Sequence, residues 1–322
     1  MKVLVTGGAG YVGGTVSTIL MQAGHEVTVL DNLCHAKRQE LPEGVAFVEA
    51  DIADRPKVEA LLRELKPDGV MHFAALIEAG ESMQKPEIYF RNNTASTLSL
   101  LEAMLATGTD KLVFSSTAAV YGEPKSVPIL EGAELAPTNA YGESKLLVEH
   151  MLRWFHKIHG LSYAALRYFN VAGALPGRGE AHEPETHIIP LILDVALGRR
   201  EKILIFGEDY DTPDGTCIRD YIHVADLADA HILALGALGD RRKIIANLGN
   251  GSGFSVKQVI EAARRVTGHP IPVEVRARRA GDPARLVASS ELAKAELGWV
   301  PKHPEMDDIL KSAWEWHQVR YR

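Results

Sequence analysis

The chain runs to 322 residues, 46% of them hydrophobic and 24% charged, enough apolar material for one large domain or two with buried cores. A net charge of −7 excludes a general attraction for nucleic acid or an anionic membrane, so any anionic ligand must be held by local groups. Cys34 and Cys217 stand in no metal-ligand spacing, MKVLVTGG leaves no room for a signal peptide, and no apolar run reaches about 18 residues; a cytoplasmic protein with free thiols and no bound metal is expected.

From the first residue, β-branched runs alternate with helical patterns. KVLVTG is followed by VGGTVSTILMQAG, HEVTVLD, VAFVEAD, RPKVEALLRELKP, DGVMHFAA, NNTASTLSLLEAMLATG and KLVFSST. This alternation predicts an α/β fold of Rossmann type, a doubly wound parallel sheet built from right-handed crossovers. Its strands are continuous apolar runs, as expected where helices cover both faces. After LSYAALRYFNV the texture changes to polar loops, PGRGEAHEPET and EDYDTPDGT. Residues 1–172 are therefore expected to form a nucleotide-binding domain and 173–322 a smaller, loop-rich lobe. The helix HVADLADAHILALGAL, within about 215–240, is expected to pack back on the sheet.

Gly7, Gly10 and Gly13 form GxxGxxG between the first strand and first helix, where a backbone free of side chains lets a pyrophosphate approach the positive end of a helix. Asp31 closes the next strand about 20 residues on, where a carboxylate accepts the adenosine ribose hydroxyls and repels a 2′-phosphate, which predicts NAD rather than NADP. Asp51 closes the third strand and Phe73, Ala74 and Ala75 the fourth, where small residues let backbone approach a cofactor. Tyr141 and Lys145, four apart in NAYGESK, share a helix face. A fixed ammonium favours a phenolate, so the pair predicts a tunable base beside the cofactor. EDYDTPDG, with Asp209, Asp211 and Asp214, lacks the spacing and closing glutamate of a calcium loop and is expected to be a polar turn.

VLVTGGAGYVGG, VLDNLC, HFAALIEAGESMQKP, FSSTAAVYG, NAYGESK, LRYFNVAGA, DGTCIRDYIHVADLADAH and RRAGDPARLVAS together make the chain resemble the extended short-chain dehydrogenase/reductase family from residue 3 to about 290. Within that family the likeness is to the branch that epimerises UDP-sugars at C4. The resemblance implies reversible NAD-dependent interconversion of UDP-glucose and UDP-galactose through a 4-keto sugar, as in galactose metabolism. It places the Thr117 hydroxyl on the sugar O4, with Tyr141 as base and Lys145 as its electrostatic and ribose-binding helper. It assigns Tyr11, Val12, Asp31, Asn32, Asp51, Ile52, Phe73, Ala74, Asn92 and Phe169 to the cofactor. Asn170, Arg219, Arg279 and Asp282 fall to the UDP portion, with Phe206 and Tyr221 nearby.

Several positions depart from the pattern. Ile77 replaces a lysine that approaches the cofactor in some relatives, and His187 and Ile188 stand where others have asparagine and leucine beside the nucleotide. Leu286 falls where a bulky tyrosine closes, and a small residue opens, space for an N-acetyl group on the sugar. Nucleotide-sugar dehydratases of the same family place acids directly after the threonine; here Ala118 and Ala119 follow Thr117 and donate no proton. The resemblance also implies a homodimer paired through residues 92–107 and 141–158. A regulatory NAD-binding protein without turnover is the competing class, and it has no need of Thr117, Tyr141 and Lys145 together.

Overall fold

The computed structural model describes residues 1–239, 242–279 and 282–322. Six strands, β1 (Lys2–Thr6), β2 (Glu26–Asp31), β3 (Ala46–Glu49), β4 (Gly69–His72), β5 (Lys111–Thr117) and β6 (Ser162–Tyr168), come first in the chain. After them β7 (Asn170–Ala172), β8 (Ile203–Phe206), β9 (Ile218–Arg219) and β10 (Tyr221–His223) belong to smaller pairings, and β11 (Lys243–Leu248) returns to the main sheet. The order is β11-β6-β5-β4-β1-β2-β3, parallel throughout. The chain runs outward one way from β1 to β3 and the other way from β4 to β6. That reversal leaves a crevice at the carboxyl ends of β1 and β4, the place where such sheets bind ligands.

The continuous apolar strands follow from two cores. Side chains alternate along β1, so Val3 and Val5 face one layer with Val16, Leu20, Leu227, Ala230 and Ala234, whereas Leu4 faces the other with Leu30, Leu100, Met104 and Leu152. Each valine, leucine or methionine among them, fully buried, contributes on the order of 1.5–3 kcal/mol. The helix Val224–Ala237 lies in the first layer beside the helix Tyr11–Gln22, which brings a segment from beyond residue 220 onto the main sheet. A third core, with Ile189, Ile192, Ile205, Val259, Leu310 and Trp314, holds the second lobe together. That lobe also carries β12 (Phe254–Ser255), β13 (Val273–Arg276) and β14 (Arg285–Leu286).

Two helix ends matter for the site. The 20-residue helix Ala140–His159 starts because Asn139 accepts the Gly142 amide at 2.8 Å, and it stops at Gly160 in the left-handed conformation. NNTASTLSLLEAMLATG, expected as one helix, begins instead with a π-helical turn over Phe90–Ala95 before the α-helix Ser96–Thr107. The wide turn aims Asn93 inward, where it binds both backbone groups of Leu76 and donates to Ser144 Oγ at 3.0 Å. Asn93 thereby bolts the loop after β4 to the helix that carries Tyr141.

Candidate active site

The glycine turn sits at the crevice. Gly7 adopts a φ of +73°, and a Cβ there would collide with the backbone of Phe73 and Ala74, so β1 and the HFAA loop approach to a distance only glycine permits. Gly13 packs as tightly against the Gly7 carbonyl. Gly10 caps the helix Tyr11–Gln22 without any side-chain hydrogen bond, and the helix has no acid in its first turn. The amides around Tyr11 and Val12 thus keep the polarity that binds an anion. Asp31, buried at the end of β2, accepts from the Ala9 amide at 3.1 Å and the Leu33 amide at 2.8 Å, which ties it to the same turn and leaves acceptor capacity on both oxygens. These are the features a dinucleotide requires: a bare helix start, a close backbone and a carboxylate at ribose distance in sequence.

The other cofactor positions divide. Asn32 donates to Asp51 at 2.9 Å, placing both side by side at the ends of β2 and β3. Asn92 lies on the π-helical turn and donates to Asn93. Ile52 is buried in the core that also holds Val58 and Leu62. Phe169 follows β6 and packs with Leu286 against Val120, Tyr121, Ile129 and Leu146.

At the end of β5 the Ser115-Ser116-Thr117 run meets the helix Ala140–His159. Lys145 is 2% exposed, donates from Nζ to the Ser115 carbonyl at 2.9 Å and lies 4.9 Å above the Phe114 ring. Burial lowers its pKa to about 7. Thr117 is nearly buried, and its hydroxyl accepts from the Ala119 amide at 3.1 Å, which leaves the hydroxyl proton to donate elsewhere. Burial holds the Tyr141 phenol above its ordinary value; the Thr117 hydroxyl pulls it down and the Glu78 carboxylate pushes it up. Desolvation is the largest influence on the phenol, and one of the three Lys145 Nζ donors is engaged by the Ser115 carbonyl.

Behind this surface runs a buried polar chain that sequence reasoning missed. Ser116 Oγ donates to Glu149 at 2.6 Å, Arg167 grips the same carboxylate through Nε at 2.9 Å and Nη2 at 2.5 Å, and Arg167 reaches Tyr121, which donates to Asn247 at 2.7 Å. Glu149 continues the helix face of Tyr141 and Lys145 by one further turn, a spacing readable in the sequence once a partner on β5 is known. Glu78 was missed as well. Its carboxylate accepts from Thr186 across the two lobes at 3.1 Å, while Oε1 is buried without a partner.

On the second lobe a cavity of about 470 Å³ gathers Asn170, Ile188, Phe206, Arg219, Tyr221, Arg279 and Asp282, together with Tyr11 of the glycine turn. Asn170 and Tyr221 pair in register between β7 and β10, and Arg219 ion-pairs with Asp282. The Arg279 guanidinium lies 4.0 Å over the Phe206 ring. Ala280 and Gly281, between Arg279 and Asp282, lie outside the described residues. Leu286 pairs with Arg219 between β14 and β9 but does not line the cavity. His187 lines the wall and bonds Glu185 at 2.8 Å. The acids of EDYDTPDG serve the turn: Asp209 pairs with Arg278, and Asp214 accepts from Thr216 and Ser255. Among the described residues, no cluster of three metal-binding side chains forms and no helix is long and apolar enough to cross a membrane.

The family model described as NAD dependent epimerase/dehydratase family matches residues 3–249, from β1 through β11. The chain belongs to the NAD-dependent epimerase/dehydratase family. Among relatives in this family, UDP-glucose 4-epimerase of Streptomyces lividans is 54% identical over 317 residues, covering 98% of this chain and 96% of the relative. UDP-glucose 4-epimerase of Corynebacterium glutamicum is 52% identical over 314 residues, covering 98% and 95%. A solved UDP-glucose 4-epimerase from Bifidobacterium longum, in complex with NAD+ and UDP, superposes with a TM-score of 0.93 at 38% identity and covers 100% of this chain and 99% of that one.

Proposed function

We propose that the chain is an NAD-dependent isomerase that interconverts UDP-glucose and UDP-galactose by inverting C4 through a 4-keto sugar, the reaction of galactose metabolism. One observation carries the reading: Tyr11 of a glycine turn suited to a dinucleotide lines the same cavity as Arg219 and Arg279, in a chain whose Thr117, at the end of β5, meets the helix of Tyr141 and Lys145. Full-length likeness to enzymes named for this reaction supports it. NAD, when bound, supplies the reversible hydride acceptor for C4.

The glycine turn, Asp31, Asn32, Asp51, Phe73, Ala74, Ala75, Asn92 and Phe169 hold that cofactor, with Ile52 contributing backbone. Arg219 and Arg279 clamp the diphosphate with charge-assisted bonds, and Phe206, Tyr221, Asn170, Ile188 and Asp282 shape the remainder of the nucleotide site. Tyr141 withdraws the O4 proton, directly or through Thr117, and returns it after the sugar has turned. Lys145 holds positive charge next to the phenol as its proton leaves. Only the UDP tail is anchored, so the keto sugar is free to present its other face, and binding energy spent on the remote nucleotide retains it. Ala118 and Ala119 have no proton to expel water from C6, which separates the reaction from dehydration.

The working form in this reading is a cytoplasmic homodimer. The helices Ser96–Thr107 and Ala140–His159 leave Leu98, Leu105, Trp154 and Ile158 exposed, an apolar surface suited to a second copy. The test is to incubate purified protein with UDP-galactose and follow UDP-glucose by NMR while measuring NAD released on denaturation. Product together with bound NAD is expected; neither product nor NAD refutes the reading.

A further inference from the structure

Between Lys2 and Lys37 the chain contains no lysine or arginine, so the glycine turn and its helix carry no side-chain positive charge. Ile77 adds none from the loop after β4. A pyrophosphate bears two negative charges, and a helix start offers about half a positive one. In a chain of net charge −7 a cation delivered from elsewhere would supply the remainder.

Arg178 is delivered there. Leu175-Pro176-Gly177-Arg178 is a tight turn, closed by backbone bonds of 2.8 and 3.0 Å between Leu175 and Arg178, with Gly177 at a φ of +76°. The turn projects the half-buried Arg178 from the second lobe onto the first helix. Its Nη1 donates to the Gly10 carbonyl at 3.3 Å and its Nη2 to the Glu40 carbonyl. A Cβ on Gly14 would collide with the guanidinium, so the last glycine of GYVGG has a partner across the lobes. One residue from Gly10, the Tyr11 hydroxyl donates to the Gly173 carbonyl at 2.6 Å, a second bolt between the same two loops. Both Arg178 contacts go to neutral carbonyls. The acid that acts on it is Glu40, whose carboxylate is turned to the Lys37 amide at 2.9 Å. A guanidinium withdrawn from water without an anionic partner is costly unless an anion completes the site.

We propose that Arg178 is a cofactor-binding residue whose guanidinium, carried on the substrate lobe, supplies the positive charge facing the dinucleotide pyrophosphate at the Gly7–Gly13 turn. The proposal rests on the NAD reading above and deepens it: the lobe that holds the UDP-sugar also helps to retain the cofactor. The test compares Arg178→Gln, which keeps donors for the two carbonyls but loses the charge, with Arg178→Lys, which keeps the charge. NAD loss from the purified holoprotein is timed after dilution, and ADP-ribose and UDP affinities are measured by calorimetry. The Gln variant is expected to lose NAD at least about tenfold faster and bind ADP-ribose about tenfold more weakly, with UDP affinity unchanged and the Lys variant close to the parent. Gln indistinguishable from the parent, or Lys as impaired as Gln, overturns the proposal and leaves Arg178 a clasp between lobes. A parent that binds neither NAD nor ADP-ribose sinks the cofactor reading itself.

Discussion

Replacing Glu149 by Gln removes one charge from the pair behind the catalytic strand while preserving shape. Glu149 and Arg167 are 5% and 3% exposed, and the carboxylate receives three hydrogen bonds, from Ser116 and from Nε and Nη2 of Arg167. The Gln side chain offers one acceptor where the carboxylate offers two, so the second Arg167 bond is lost and the guanidinium stays buried without its counter-charge. Breaking such a pair costs about 3–5 kcal/mol. With an unfolding entropy of about 2.1 cal/mol/K per residue, a chain of 322 residues should melt about 4–7 °C lower. Calorimetry of the parent, of Glu149→Gln and of a Glu149→Met, Arg167→Met double variant measures the effect. The double variant removes both charges and is expected to recover most of the loss. Because Ser116 precedes Thr117 and Glu149 lies two turns beyond Tyr141, the single variant should also lower kcat with KM for UDP-galactose nearly unchanged. A melting point within about 1 °C of the parent would refute the reasoning, as would a double variant no better than the single one.

Three further outcomes are expected. Gly7→Ala places a Cβ against the Ala74 backbone at a φ of +73°, so it should destabilise the fold by more than about 1 kcal/mol and yield protein with little bound NAD; full NAD content by absorbance would contradict the close approach. Burial lowers His72 to about 3, with Lys145 acting in the same direction, and lowers His223 and His231 to about 4. Their folded pKa values lie below the unfolded value near 6.5, so the stability they contribute is complete above pH 6.5 and is lost toward pH 4, approaching about 1.4 kcal/mol per pH unit for each histidine; a melting temperature flat from pH 7 to 5 would contradict this. Leu286 does not line the cavity, so its role as the gate rests on the resemblance alone: if it is the gate, Leu286→Tyr should leave UDP-galactose turnover in place while reducing any turnover of UDP-N-acetylglucosamine, and an unchanged ratio of the two rates would remove it.

What was readable in the sequence depended on how far each residue lies from its partner. KVLVT and KLVFSST read as strands because both faces of a parallel sheet are buried, and Val3, Leu4 and Val5 serve two cores at once. Tyr141 and Lys145 were legible as a helix face because their relation is local. The place of β11 beside β6 was not, since nothing in KIIANL specifies an edge position in a sheet begun 240 residues earlier. The two-residue strands β9, β12 and β14 are too short to show any period. Asn93 and Glu149 act through Leu76, Ser144, Ser116 and Arg167, partners set by tertiary packing. The raised Tyr141 is of the same kind, because desolvation belongs to the folded surroundings and not to the motif.

The late arrival of β11 has a consequence for synthesis. While the chain emerges from a ribosome, β6 is complete at residue 168, yet the strand that covers its open edge ends at residue 248. Throughout that interval the nascent protein presents a row of unpaired amides and carbonyls on a mostly finished sheet, a template for pairing with a neighbouring chain. An expressed fragment ending near residue 172 would keep that edge permanently, and in this fold the chain has to be translated through residue 248 before the first sheet can close.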